Sequence, residues 1–178
     1  MTYAREATLY PHVTIWLSTF LRGRIPRGSV DVRDTHDQPL NRYIRQHGLQ
    51  SYFDGDLWQS YDIRVDITAF LRRGTRHGIA FVECKLRPVS LRDVAQLMGY
   101  SRVARPALSV LLSPGGIGDV VKTLLLTHDR TDILEYDWPH GRTTRSIALA
   151  TWDATARQLD VASVLPPGAL SGGSPLLP

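Results

Sequence analysis

Apolar and polar positions alternate most regularly between Tyr61 and Phe70, where Ile63, Val65 and Ile67 interleave with Asp62, Arg64 and Asp66. A period of two predicts a β-strand with unlike faces. The run Leu71-Arg72-Arg73-Gly74-Thr75-Arg76-His77-Gly78 follows as a loop, and Ile79 to Leu86 reads as a second strand, so the pair predicts a hairpin. Upstream, Leu9, Val13, Trp16, Leu17 and Phe20 recur at helical spacing and predict one amphipathic helix over Tyr3 to Leu21, with Pro11 at a position where it would bend. Glu6 shares the stripe of Leu9, Val13 and Phe20. Between Arg22 and Leu57 the pattern is weak and supports only a short strand at Ser29 to Arg33, a short helix at Leu40 to His47 and a turn at Phe53 to Asp56.

Downstream, Ser90 with Asp93 three residues later has the form of a capping box, opening a helix that runs to Arg105 and stops before Pro106. Leu91, Val94, Leu97 and Met98 supply its buried side, while Arg92, Gln96 and Tyr100 repeat every four residues along a second stripe. Leu108 to Leu112 reads as a buried strand and Gly118 to Leu126 as a helix. Ile133 to Tyr136, Ile147 to Trp152 and Leu159 to Leu165 read as later strands, with a turn at Asp153 to Arg157. This mixture predicts an α/β domain, a central sheet flanked by helices, over residues 1–165, followed by a mobile tail rich in Pro, Gly and Ser over 166–178.

A hairpin loop symmetric about Gly74 and Thr75 pairs Asp66 with Glu83 and Arg64 with Lys85. Directly opposed side chains have Cβ atoms about 4.5–5.5 Å apart, and two carboxylates at that range repel unless a cation or a shared proton lies between them. Strand geometry therefore proposes a metal site. In Phe81-Val82-Glu83-Cys84-Lys85, alternation puts Glu83 and Lys85 on one face and Cys84 on the other. Only two lysines, Lys85 and Lys122, occur among 21 basic residues. A chain that favours Arg has thus kept, at Lys85, a compact cation whose pKa burial can tune.

Composition changes this picture little. A chain of 178 residues, 43% hydrophobic and 21% charged, has material for a core, and a net charge of +4 permits a polyanionic partner without requiring one. One Cys excludes an internal disulfide and a cysteine-rich zinc site. No leader-like segment and no apolar run near the roughly 20 residues that span a bilayer is present, so no membrane partner is expected and a soluble, cytoplasmic protein is. The six histidines, His12, His36, His47, His77, His128 and His140, show no ligand spacing.

Asp66, the Glu83-x-Lys85 pair on the next strand and a following helix with Gln96-x-x-x-Tyr100 together resemble the PD-(D/E)xK nuclease superfamily, over about Tyr61 to Ser113. The helix is similar to that of the branch related to helicase-associated nucleases. Val65 stands where the motif's proline would be. The resemblance implies a restriction-endonuclease-like fold and a Mg²⁺-dependent deoxyribonuclease, with Mn²⁺ substituting, that attacks phosphodiesters with metal-activated water in repair, recombination or defence. It implies metal ligation by Asp66, Glu83 and the Cys84 carbonyl, with Glu6 completing the site from the first helix. Lys85 would orient or deprotonate the water and stabilise the transition state. Gln96 and Tyr100 would hold the lysine or a phosphate. DNA is the implied partner, and members of the superfamily act as homodimers or within nuclease/helicase assemblies.

Other readings of the same residues stay open. Asp66, Glu83 and Lys85 would also suit a solvated sheet face with a cross-strand ion pair, Glu6 an ordinary first-turn glutamate, and Tyr100 a half-buried helix residue. Asp62 shares the strand face of Asp66, but the pairing sets it opposite Arg87. Arg72, Arg73 and Arg76 in the hairpin loop, with Arg92 and Arg102 on the helix, are candidates to hold phosphates. Tyr52, Trp58 and Tyr61 are candidates to stack bases, core packing being the alternative for Trp58. A silent DNA-binding subunit of the same fold and an RNA-directed nuclease are the alternative functions.

Overall fold

The computed structural model describes residues 3–138, 143–171 and 176–177. Seven strands build one mixed sheet: β1 (Ser29–Asp34), β2 (Ile67–Arg73), β3 (Arg76–Cys84), β4 (Leu108–Ser113), β5 (Glu135–Trp138), β6 (Thr143–Asp153) and β7 (Gln158–Leu165). Their order is β1-β2-β3-β4-β6-β5, with β7 also pairing β6. β1 to β3 form an antiparallel meander, β3, β4 and β6 run parallel, and β5 and β7 pair antiparallel with different stretches of β6. A parallel β3–β4 pair needs a crossover, and α3 (Leu91–Ala104) supplies it.

Sheet alternation sends residues into two cores. Ile67, Ala69, Ala80, Val82, Cys84, Ala148 and Ala150 face α1 (Tyr10–Arg24), which buries Val13, Leu17 and Leu21 against them. The many alanines on that face give a helix room to lie close to the sheet. Phe70, Phe81, Leu111 and Leu149 face the other way, toward α2 (Leu40–Gln46) and the Val94, Leu97 and Met98 side of α3. A last short helix, α4 (Asp119–Lys122), continues as a π-helical turn, Thr123–Thr127.

Several expected elements shift for physical reasons. The first helix starts at Tyr10, so Pro11 occupies its first turn, where a missing N–H costs nothing, and Glu6 sits in a separate 3₁₀ turn, Glu6–Thr8. Tyr61 to Val65 lies outside the ladder because its carbonyls are committed elsewhere: Tyr61 and Ile63 accept from Asn41 N at 3.0 Å and Leu40 N at 2.8 Å, and Val65 accepts from the Thr35 hydroxyl at 2.7 Å. At the other end, β2 and β3 pair as far as Arg73 with Arg76, leaving only Gly74 and Thr75 as the turn. Gly74 takes φ +61°, the left-handed conformation that a tight hairpin needs. Ile133 belongs to a 3₁₀ turn, Thr131–Leu134, ahead of β5.

The capping box is present, with the Asp93 carboxylate accepting from the Ser90 backbone N–H at 2.8 Å. Leu91, expected in the core, is 40% exposed because it precedes the buried stripe. In the segment expected to be mobile, Leu176 and Leu177 are buried beside the sheet, and residues 172–175 and 178, like His140, lie outside the described residues. Among the described residues, no helix is long and apolar enough to cross a membrane.

Candidate active site

The hairpin register delivers Asp66 to Glu83. Ile67 pairs with Val82, so the next step along both chains brings Asp66, at the entry to β2, against Glu83 at the end of β3. Asp66 Oδ2 accepts from the Cys84 backbone N–H at 2.8 Å, tying the two strands beyond their last ladder pair. Its Oδ1 accepts from the Tyr10 hydroxyl at 2.8 Å, which reaches across from the first turn of α1.

Glu83 and Lys85 share a face, as alternation requires. Lys85 Nζ donates to Glu83 Oε1 at 2.8 Å, and Gln96 Nε2 donates to the same oxygen at 3.0 Å from α3. Gln96 also donates to the Tyr100 hydroxyl at 3.2 Å, so the four-residue spacing on α3 becomes one chain of polar contacts. Glu83 is 2% exposed, and its other oxygen, Oε2, is shielded from water with no hydrogen-bond partner among the described residues. A buried carboxylate oxygen without a donor is rare and costly, and a cation or a proton on the carboxyl removes that cost.

The electrostatics follow from two carboxylates sharing a dry corner. Burial pushes the Glu83 carboxyl up to about 7, the charge of Asp66 adds to the rise, and Lys85 opposes it. Burial likewise holds Asp66 above the usual carboxylate range despite the Cys84 N–H, the Tyr10 hydroxyl and Lys85. For Lys85, burial favours the neutral amine, but Glu83, Asp66 and Glu6 outweigh it and hold the ammonium above its ordinary value. In the metal-free site Lys85 is therefore a cation, not a base. Burial and the neighbouring Asp66 charge also raise Tyr10 far above a free phenol, keeping its proton available for the bond to Asp66.

Of the other expected residues, Glu6 is half-buried on its 3₁₀ turn, close enough for its charge to act on Lys85 and Tyr10, and makes no side-chain hydrogen bond among the described residues. Among these residues no three His, Cys, Asp or Glu side chains gather into a group able to hold a metal ion, so Glu6 does not join Asp66 and Glu83 in one. Two carboxylates still fit Mg²⁺, which commonly takes one or two and fills its octahedron with carbonyl, water and phosphate oxygens. Cys84 itself is buried on the opposite face, its thiol raised by burial and then by the two carboxylates.

The expected pairings of Asp62 with Arg87 and of Arg64 with Lys85 do not form, because Asp62 and Arg64 precede the ladder. Arg87 instead grips Asp93 with two hydrogen bonds of 2.8 Å. Arg92 is exposed on the α3 stripe that carries Gln96. Arg72, Arg73 and Arg76 lie at the turn end of the hairpin, roughly 20 Å from Asp66 at about 3.3 Å per residue, and Arg102 is in the last turn of α3. The three hairpin arginines are remote from the carboxylates. Two neighbours of the site escaped the sequence pattern. Tyr10 sits between the apolar positions that mark α1, and its role shows only when the helix docks on the sheet. The His36 ring lies tilted against the Tyr10 ring at 5.0 Å and contacts Asp34 at 2.5 Å, a bond that raises its pKa, and its spacing in sequence gives no sign of this.

Comparison of the chain with protein-family models, with curated proteins and with solved structures gives no match.

Proposed function

We propose that this chain is a metal-dependent deoxyribonuclease of the PD-(D/E)xK type, with a restriction-endonuclease-like fold and the Gln-x-x-x-Tyr variant of its helix. One observation carries the reading: two buried carboxylates from adjacent strands converge beside a lysine, and one carboxylate oxygen has no protein partner. Asp66, Glu83 and the Cys84 carbonyl would hold the ion, Mg²⁺ or Mn²⁺, and Glu6 would act from a distance through its charge. When bound, the ion supplies positive charge against the phosphate and makes a coordinated water more acidic.

The protein side chains divide the remaining work. Tyr10 and the Cys84 N–H fix one orientation of Asp66, leaving a lone pair on each of its oxygens. Gln96 and Lys85 hold Glu83 by Oε1, which leaves Oε2 as the oxygen that would take the ion. As an ammonium, Lys85 donates to a phosphate oxygen and stabilises the charge that grows there in the transition state. Arg92, exposed on the helix stripe that carries Gln96, takes a flanking phosphate.

The test is cleavage of labelled single-stranded, double-stranded and branched DNA, with an RNA control, in Mg²⁺, Mn²⁺ or EDTA, by wild type, Asp66→Ala and Lys85→Ala. Metal-dependent cutting of DNA, lost in both variants, is the expected result. A wild type that binds DNA and never cuts, with both variants binding alike, would leave a silent DNA-binding subunit instead.

A further inference from the structure

Sheet order brings a third strand end to the carboxylates. Asp34 pairs with Ile67 and Ile67 with Val82, so β1 ends where β2 begins and where β3 ends. Beyond the last β1 pair, the Thr35 backbone N–H donates to the Asp66 carbonyl at 2.9 Å, which fixes the following residue, His36, beside Asp66. The His36 ring then packs against Tyr10, whose hydroxyl donates to Asp66 Oδ1 at 2.8 Å. His36 thus flanks the site from β1 and Lys85 from β3, with Asp66 on the strand between them. At roughly 4.8 Å per strand spacing, β1 and β3 are about 10 Å apart.

The two ring nitrogens of His36 are used unequally. Nδ1 lies 2.5 Å from Asp34 Oδ1, and the His36 backbone N–H donates to the same oxygen at 3.3 Å, so one carboxylate holds both chain and ring. Nε2 has no hydrogen-bond partner among the described residues, and the side chain is 42% exposed. A carboxylate behind one nitrogen with the other left free is the arrangement that orients an imidazole for proton transfer. The bond to Asp34, helped by the charges of Asp34, Asp37 and Asp66 and opposed by burial, holds the imidazole above its ordinary value. Contact with Tyr10 and the register with Asp66 attach this pair to the site rather than to the general surface.

In the nuclease reading Asp66 and Glu83 are committed to the ion and Lys85 to a phosphate oxygen, which leaves the departing oxygen without a proton donor. Displacement at phosphorus runs in line, the entering and leaving oxygens on opposite sides. We propose that His36 is a further catalytic residue, its Nε2–H protonating the leaving oxygen of the phosphodiester while Asp34 positions the ring; this rests on the nuclease reading. As the oxygen of water bonds to phosphorus, the bond from phosphorus to the leaving oxygen breaks, and the electron pair left on that oxygen takes the Nε2 proton. The proton released by the water passes to solvent, from which the imidazole regains its own.

The experiment measures single-turnover cleavage in Mn²⁺ of an all-oxygen DNA strand and of two copies in which sulfur replaces the 3′ or the 5′ bridging oxygen of one linkage, cutting being read at that linkage. A sulfur leaving group departs as a thiolate and needs no proton, because a thiol is far more acidic than an alcohol. His36→Gln keeps a hydrogen-bond donor that cannot release a proton. It is expected to cut the all-oxygen strand about 10²-fold more slowly than wild type, and to match wild type on the strand whose sulfur is on the leaving side. Asp34→Asn is expected to be slowed less and to be restored by the same sulfur, whereas Lys85→Ala is expected to be slow on all three strands. Circular dichroism is expected to show each variant folded. A His36→Gln protein as fast as wild type on all-oxygen DNA, or slowed equally on all three strands, would overturn the proposal and leave the metal centre standing. A wild type that cuts none of the three would remove the nuclease reading and the proposal with it.

Discussion

Raising the pH from 5 to 8 in EDTA is expected to destabilise the protein, and Glu83 is the reason. Its carboxyl keeps a proton up to about pH 7 in the folded state, against an ordinary value of 4.5, because burial and the Asp66 charge disfavour the anion. The folded state therefore binds a proton that the unfolded state has released throughout that interval. Stability is unaffected by this group below about pH 4.5, falls as pH rises toward 7, and levels off above it. At about 1.4 kcal/mol per pH unit the full loss is about 3 kcal/mol. For a chain of 178 residues that corresponds to a melting temperature lower by about 6–12 °C. His36, raised by Asp34, loses stability in part of the same window, and Asp66, raised by burial, acts in the same direction. Asp93 is lowered by its Arg87 and Ser90 bonds against the effect of burial, so its contribution is complete before pH 5. Glu83→Gln removes only the Glu83 part, so the difference between the two melting curves isolates it. Calorimetric melting of both proteins at pH 5 and pH 8 is the assay, and Mg²⁺ at pH 8 is expected to raise the wild type back. A wild-type melting temperature that is flat or rises between pH 5 and 8 in EDTA, or an equal fall in Glu83→Gln, would refute this reasoning.

Two further outcomes concern the supports of the site. Tyr10→Phe deletes the hydroxyl that holds Asp66 Oδ1 and is expected to cost about 1–3 kcal/mol in urea denaturation, a charged acceptor being involved, and to slow cleavage about tenfold. Asp93→Ala removes the capping-box carboxylate and the buried partner of Arg87, and its unfolding in urea is expected to show a loss of about 2 kcal/mol with the sheet's circular dichroism signal retained.

Strand alternation and hairpin symmetry were enough to bring Asp66 to Glu83, because a two-residue turn fixes the register of everything that follows it. The same logic put Glu83 and Lys85 on one face, and helical spacing put Gln96 and Tyr100 in line. Where the reading failed, tertiary hydrogen bonds had decided the outcome. Tyr61 to Val65 has a strand's pattern, but Thr35 and the start of α2 take its carbonyls. Glu6 has helical phase with Leu9 and Val13, but Pro11 is best accommodated in a first turn, so the helix begins after it. Tyr10 was illegible because its partner is 56 residues away, and no local period records a contact of that kind. The arginines of the hairpin run read as loop residues able to hold phosphates, whereas the ladder extends through them and leaves them at the end of the hairpin far from the carboxylates.

The most direct test of the central claim is the single-turnover rate of single-stranded DNA cleavage at saturating Mn²⁺ for Lys85→Ala beside wild type. In the proposed site Lys85 is not a ligand of the ion, so the variant is expected to bind Mn²⁺ and yet cut about 10²–10³-fold more slowly, the scale on which one transition-state charge partner acts. Equal rates in the two proteins, or no cutting by either, would contradict a hydrolytic centre built on Asp66, Glu83 and Lys85.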